Sequence, residues 1–372
     1  MLLHNDLLHA GCKVFQNDIT ECSEGIEMRR RQDVVRITLK DIAERTGYTA
    51  NTISRALKDK DDIAPETRKR IQETAREMGY ISDSIAGSLR TGTTSTIAVI
   101  LGDISNPHFA IIAREIEFNA RKHHYSTIIL NTDEDAEIES EAIRSALGRK
   151  VDGIIICPTQ NNTENLEFLI KQGIPFVLIG RHFPDAEVES VVCDDVKGGR
   201  LATEHLIEKG HRKILFLNGP AQISSAGERL QGYRKALEKA GIPFDEELIR
   251  EIPIVAGDCR HVIYKVIDDE IKFTAVIAFS DLIAWEAMYA LQKRGLENPK
   301  DYAIVGFDNI QSKYFFPFPL TSIGSSKSTM ARRAFNLLLR RLNSTTEPST
   351  WRNVLDTTLV VRESSSNSPA GA

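Results

Sequence analysis

A chain of 372 residues is too long for one small helical unit and suits a headpiece followed by a larger body, and 41% hydrophobic residues suffice for a buried core. The formal net charge of −5 argues against a protein that coats nucleic acid indiscriminately, so any nucleic-acid affinity must come from placed contacts. Five cysteines (Cys12, Cys22, Cys157, Cys193 and Cys259), odd in number and without paired spacing, fit a reducing cytoplasm, and no stretch has the length and apolar purity of a membrane helix.

Taken in chain order, residues 1–33 are expected to be a flexible extension. They carry acids early and lack the basic leader and long apolar run of a secretion signal. His4, His9, Cys12 and Cys22 fit no standard metal spacing, whereas Arg29, Arg30 and Arg31 could touch phosphate as a small basic arm.

Residues 34–80 are predicted to form three helices. Two amphipathic segments, Lys40 to Thr46 and Ala50 to Leu57, flank a corner at Gly47-Tyr48, the spacing of a helix-turn-helix. Thr38 and Thr49 are placed to cap them, Asp41 suits the positive end of the first helix, and Ile53 and Leu57 share one apolar face. The opposite face offers Ala50, Asn51, Ser54 and Arg55. Asn can pair two ways with adenine and Arg two ways with guanine, so Ala50, Asn51 and Arg55 are expected to touch base edges. Thr38, Thr49, Thr52, Ser54 and Tyr80 are expected to hold phosphates. The third helix starts at Pro65, carries Ile71, Ala75 and Met78 at helical spacing, and ends at Gly79. From Val34 to Thr93 there are eleven Lys/Arg against nine Asp/Glu, so the remainder carries the negative charge.

Residues 81–94 read as a hinge helix and linker. The run from Ser82 to Arg90 is too short for a stable isolated helix, yet Ile85, Ala86 and Leu89 give it one apolar strip. From 95 to 362, β-rich runs alternate with amphipathic stretches: TIAVIL, STIILN, GIIICP and PFVLIG, then KILFLN, TAVIAF and YAIVGF. This is the grammar of an α/β fold, two lobes of doubly wound parallel sheet with a cleft at the carboxyl ends of the strands. The helix Thr329 to Leu342 and the run Asn353 to Val361 are expected to cross between lobes. Residues 363–372 read as a disordered tail without a heptad, which argues against tetramers. His205 and His211 are expected to be solvated helix-terminal residues.

Several motifs share one order and spacing: LKDIAERTGYTANTISRAL, PETRKRIQETAREMGY, SDSIAGSLRTG, ISNPHF, RKVDGIIICP, ERLQGYRKAL and YAIVGFDNI. In these the chain, from Ile37 to about Arg362, resembles the lactose/galactose/purine-repressor family of bacterial transcription regulators. The resemblance implies a helix-turn-helix headpiece plus a two-lobed core like that of periplasmic binding proteins. It implies hinge helices that pair in the minor groove, with Leu89 wedging a base step and Arg90 beside it. It also implies an effector cleft built from Asp103, His108, Phe109, Arg229, Ser280 and Asp308, where an Arg fork and an Asp acceptor suit a sugar or polyol. The chain departs from the pattern at Ser82, where a proline is usual, at Gly87, where a basic residue is usual, at Cys259, where an aromatic wall is common, and in LTSIGSSKS. Phe109 and Trp285 are candidates to replace that wall.

No Walker loop, GxGxxG, serine elbow or His/Glu metal spacing occurs, so no catalysis, cofactor or metal is expected. The sequence reading is therefore a cytoplasmic, homodimeric DNA-binding repressor of a near-palindromic double-stranded operator, controlled by a small carbohydrate effector and independent of membranes. The rival reading is a cytoplasmic carbohydrate-binding receptor-like protein with a non-functional headpiece.

Overall fold

The computed structural model describes residues 37–81, 92–254, 259–312, 318–343 and 350–366. The hinge positions Leu89 and Arg90, the extension 1–33 and the end of the tail lie outside the described residues. The chain divides into a unit ending at Ala86 and a second beginning at Gly87.

In the headpiece, α1 (Leu39–Thr46), α2 (Ala50–Ala56) and α3 (Pro65–Glu77) form where their caps and apolar spacing direct. The Thr38 amide donates to Asp41 Oδ2 at 2.7 Å and the Asp41 amide donates back to Thr38 Oγ1 at 3.4 Å, a reciprocal cap that holds the Asp41 carboxyl below its usual range. Gly47 turns the corner at φ +78, a left-handed conformation that costs glycine nothing, and its amide donates to Ala43 O at 2.9 Å. Thr49 Oγ1 then accepts the Thr52 amide at 3.2 Å and starts α2. The inward faces meet in a core of Ile42, Ile53, Ala56, Ile71 and Ala75, all buried.

The body holds two six-stranded sheets. The first runs in spatial order β11 (Arg352–Leu355), β5 (Ser190–Cys193), β4 (Phe176–Ile179), β3 (Gly153–Ile156), β1 (Thr96–Leu101), β2 (Ser126–Asn131), every neighbouring pair parallel. Period-two alternation splits β1 between two cores. Ile97, Val99 and Leu101 face α4 (Pro107–Lys122) and α11 (Lys327–Asn343), while Ala98 and Ile100 face α5 (Ala136–Gly148) and α6 (Glu164–Gln172).

The second sheet runs β12 (Thr358–Val360), β10 (Thr321–Gly324), β9 (Ala303–Phe307), β8 (Ala275–Ala278), β6 (Ile214–Asn218), β7 (Ile249–Glu251), parallel except where β12 meets β10. Leu215 and Leu217 pack with α9 (Cys259–Asp268) and α10 (Asp281–Lys293), and Ile214 and Phe216 with α7 (Asp195–Glu208) and α8 (Ser224–Lys239). Gly199 and Gly232 let α7 and α8 touch backbone to backbone. A Cβ on Gly199 would fall 2.1 Å from Arg229 O, and one on Gly232 2.1 Å from Val196 O.

The backbone passes between lobes three times, after β5, after β10 and between β11 and β12, so the last two strands do divide between the lobes as expected. The three passages are laced together. Asp194 donates its amide to Leu355 O at 2.9 Å, Thr357 Oγ1 donates to Asp194 O at 3.1 Å, and Cys193 Sγ lies 2.8 Å from Ser325 Oγ.

Two expectations fail together. The tail from 363 is not wholly disordered: Glu363–Ser365 makes a short 3-10 turn in which Ser364 and Ser365 are buried. His205 is not solvated, because its Nε2 lies 2.8 Å from Ser365 Oγ, and His211 is fully buried with Nδ1 3.0 Å from Thr274 Oγ1. Each histidine is held by a hydroxyl far away in sequence.

Candidate functional site

Two surfaces concentrate the predicted site residues. On the headpiece, Ala50, Asn51 and Arg55 are exposed along one side of α2 while Ile53 and Ala56 seal the other. Arg55 forms an ion pair with Asp62. Among the expected phosphate groups, the Thr38 and Thr49 hydroxyls are engaged in helix caps, and Thr52 Oγ1 lies 2.9 Å from Thr49 Oγ1. Ser54 is half-buried, and Tyr80 packs against the headpiece core.

The second surface is the cleft at the carboxyl ends of the strands, where backbone groups end and loops begin. His108, at the start of α4 in the first lobe, places Nδ1 3.2 Å from Asp308 Oδ1 at the end of β9 in the second. Nδ1 is buried and makes no hydrogen bond there. Burial pulls the His108 imidazole down to about 4, against the pull of the Asp308 carboxylate, so the ring is neutral near pH 7. Asp308 and Asn309 hold left-handed backbone at φ 95 and 47, as do Asp133 and Glu134 after β2 at 50 and 58. Such strain costs on the order of 1–3 kcal/mol per residue and persists where surroundings enforce it.

Arg229, expected as a ligand-facing fork, is buried with two of its three guanidinium nitrogens already engaged. Its Nε donates to Asp195 Oδ1 at 2.7 Å, a second nitrogen donates to Phe279 O, and its guanidinium lies 4.6 Å and 4.2 Å from the Phe279 and Phe307 ring centroids. Ser280 caps α10 by accepting the Ile283 amide at 3.3 Å, and Asp103 closes a turn by accepting from the Ser105 amide and hydroxyl. Phe109 packs against the first-lobe core, its ring edge-on to His108 with centroids 5.2 Å apart. Cys259 is buried in the second-lobe core, and Trp285, partly buried, packs against the same cluster.

Several cleft residues escaped the sequence reading. Arg181, after β4, binds Glu134 in two-pronged fashion at 2.7 and 2.9 Å and also donates to Pro158 O at 2.8 Å. The Glu134 carboxylate lies over Gly102, where a Cβ would come within 2.1 Å of Oε1. Lys327 donates to Asp308 O. Their signal was positional: each follows a strand's carboxyl end or begins a helix there.

Asp281 is nearly fully buried, with Oδ1 2.5 Å from Ser322 Oγ and Oδ2 accepting the Ile310 amide at 2.8 Å. Burial, reinforced by the Asp308 charge, pushes its carboxyl up to about 8. The folded body thus keeps a proton that the unfolded chain releases near the ordinary value of 3.8. That contribution to stability is fully present below 3.8, declines as pH rises and is lost above about 8. Melting of Asp281→Asn across this range should lack that part of the decline, and a slope equal to the parent's would contradict the assignment.

A cavity of about 550 Å³ opens between the lobes, lined by Gln160, His182, Phe183, Ser224, Glu228 and Gln231 among others. Its lining includes none of the predicted effector residues. Polar contacts bridge the lobes beside it: the Ser224 amide donates to Gln160 Oε1 at 2.9 Å, and His182 Nε2 lies 3.0 Å from Glu228 Oε1.

The family described as "Bacterial regulatory proteins, lacI family" matches residues 38–83, and "Periplasmic binding proteins and sugar binding domain of LacI family" matches residues 94–357. The HTH-type transcriptional repressor PurR of Actinobacillus pleuropneumoniae is 31% identical over 305 residues, 82% of this chain and 91% of that protein. A transcriptional regulator CelR–cellobiose complex superposes with a TM-score of 0.67 at 31% identity, covering 88% of this chain and 100% of the other. The lac repressor dimer bound to operator and the anti-inducer ONPF gives 0.78 at 24% identity over 88% of this chain and 99% of the other, a likeness of fold.

Proposed function

Because this chain belongs to the lacI family of bacterial regulatory proteins and is a DNA-binding transcription regulator, we propose that it acts as a cytoplasmic homodimeric repressor on a near-palindromic operator. Base edges are read by Ala50, Asn51 and Arg55, with Thr38, Thr49, Thr52, Ser54 and Tyr80 toward the phosphates. The carrying observation is the two-sidedness of α2, whose Asn51 and Arg55 are exposed while Ile53 and Ala56 are fully buried. A helix so mounted can offer its polar side to a major groove without disturbing its core.

The body binds a small neutral carbohydrate in the cleft between its lobes. Asp308 and His108 supply an acceptor and a neutral donor from opposite sides, a pairing suited to hydroxyl groups. Asp103 and Phe109 border the site, while Arg229 and Ser280 support it from within the second lobe. Ligand binding alters DNA affinity only so far as the ligand favours one lobe arrangement over another, with residues 81–94, including Leu89 and Arg90, as the connection. The protein works by binding, not by chemical conversion of its ligand.

Selection of randomised duplex DNA with the full chain should yield a near-palindrome. Arg55→Ala should weaken binding to it by about 1–3 kcal/mol and relax the choice at one base pair per half-site. A uniform loss across all sequences would instead assign Arg55 to the phosphate backbone. Titration of the full chain with neutral sugars and, separately, nucleobases tests the effector class, and heat on nucleobases alone would reject a carbohydrate.

A further inference from the structure

Arg55 is the long cation of the reading helix, and a flexible cation beside DNA is drawn to any phosphate within reach. Here it has a partner. Its guanidinium is paired with the Asp62 carboxylate, with both side chains about half exposed. Asp62 lies in the loop from Lys58 to Ala64, and α3 pins that loop. Arg68 donates to Lys60 O at 2.7 Å and to Ile63 O at 3.3 Å, while Gln72 Nε2 donates to Ala56 O at 3.2 Å and to Asp59 Oδ1 at 2.7 Å. Inside the loop, the Lys60 amide donates back to Arg55 O at 3.2 Å, and Ile63 is packed against the headpiece core. Asp62 is therefore carried on a braced platform.

An exposed ion pair contributes little to stability, so its presence on the reading surface calls for another account. A carboxylate facing DNA also opposes binding, since it adds a negative charge near the phosphates. Both points are explained if the pair serves selection instead of affinity. Asp62 engages one guanidinium nitrogen, Nη2, which biases the remaining donors toward a fork that matches two acceptors on one base better than a lone phosphate oxygen.

We propose that Asp62 is a positioning residue for Arg55. It holds the guanidinium in a base-reading posture and raises sequence discrimination at the base pair that Arg55 meets, at the expense of overall affinity. This rests on the reading of Arg55 as a base contact, and the test separates the two.

The full chain and its Arg55→Ala, Asp62→Ala, Asp62→Asn and Arg55→Ala/Asp62→Ala variants would each be used to select from randomised duplex DNA. Their affinities for the selected site and for bulk DNA would then be measured at several salt concentrations. Asp62→Ala should bind bulk DNA several-fold more tightly and with steeper salt dependence, because the freed Arg55 can reach a phosphate. Its preference at one base pair per half-site should drop about two- to five-fold, the most that an exposed pair can bias, with the other positions unchanged. Asp62→Asn, which keeps the shape and loses the charge, should fall between. The double variant should discriminate no worse than Arg55→Ala.

A merely structural Asp62 would lower melting temperature and weaken all sites alike, so equal melting with one altered position supports the inference. If Arg55→Ala changes one position and Asp62→Ala changes none, the positioning role is wrong while the base contact stands. If Asp62→Ala and Arg55→Ala alter different positions, Asp62 acts on its own and the inference falls. If Arg55→Ala leaves base choice intact, both fall.

Discussion

Ile53→Ala should sharply weaken DNA binding without touching the exposed side of α2. Ile53 is fully buried beside Ile42, Ala56 and Ile71 in a headpiece whose described part is about 45 residues long. A domain of that size holds only about 2–7 kcal/mol of stability, at roughly 0.05–0.15 kcal/mol per residue. Truncating a buried isoleucine to alanine costs about 2–5 kcal/mol, the lost transfer energy plus the cavity left behind. The loss rivals the whole reserve, so a large fraction of headpieces should be unfolded. The body has separate cores and should melt as before. Gel shift together with calorimetry checks both halves, and an affinity within two-fold of the parent would show that the headpiece tolerates the cavity. Arg55→Ala, two residues along the same helix, should do the reverse and change base choice with the fold intact.

Asp195→Ala should be the most damaging single truncation in the cleft. Arg229 is buried, reaches Asp195 at 2.7 Å and lies against Phe279 and Phe307. Arginine cannot shed its proton, so removing its carboxylate partner strands a buried positive charge, at a cost of about 3–5 kcal/mol. For a body of this size that corresponds to a melting decrease on the order of 10 °C. Arg229→Met should cost less, because the stranded Asp195 can neutralise itself by taking up a proton and the thioether fills much of the space. Combining the two changes should recover stability relative to Asp195→Ala alone. Equal losses from both single variants, simply adding in the double, would mean that the two groups do not depend on each other.

The contrast between these regions marks what was legible in the sequence. Helix ends announced themselves locally: Thr38, Gly47, Thr49 and Pro65 act within a turn of where they stand, and the structure uses each as its chemistry suggests. The strands were equally plain, since a sheet covered on both faces demands runs such as TIAVIL and GIIICP. Polar groups paired across long separations were not. His205 meets Ser365, 160 residues on, and Arg181 meets Glu134, 47 residues back. Neither partner leaves any period or motif near the other. A serine-rich run looked like solvated tail for the same reason that a histidine after a helix looked like surface: each was read without its partner. Arg229 shows the limit of motif transfer. Its place in ERLQGY puts it on α8, yet which way its Nε reaches is set by Asp195, thirty-four residues upstream.

The division of the final strands carries a consequence for genetics. A frameshift or stop codon just upstream of Arg352 would strip an outermost strand from both sheets at once, along with the seryl hydroxyls that hold His205 and the β10 backbone. Loss of fewer than twenty-five residues should therefore mimic a null allele instead of a mild truncation.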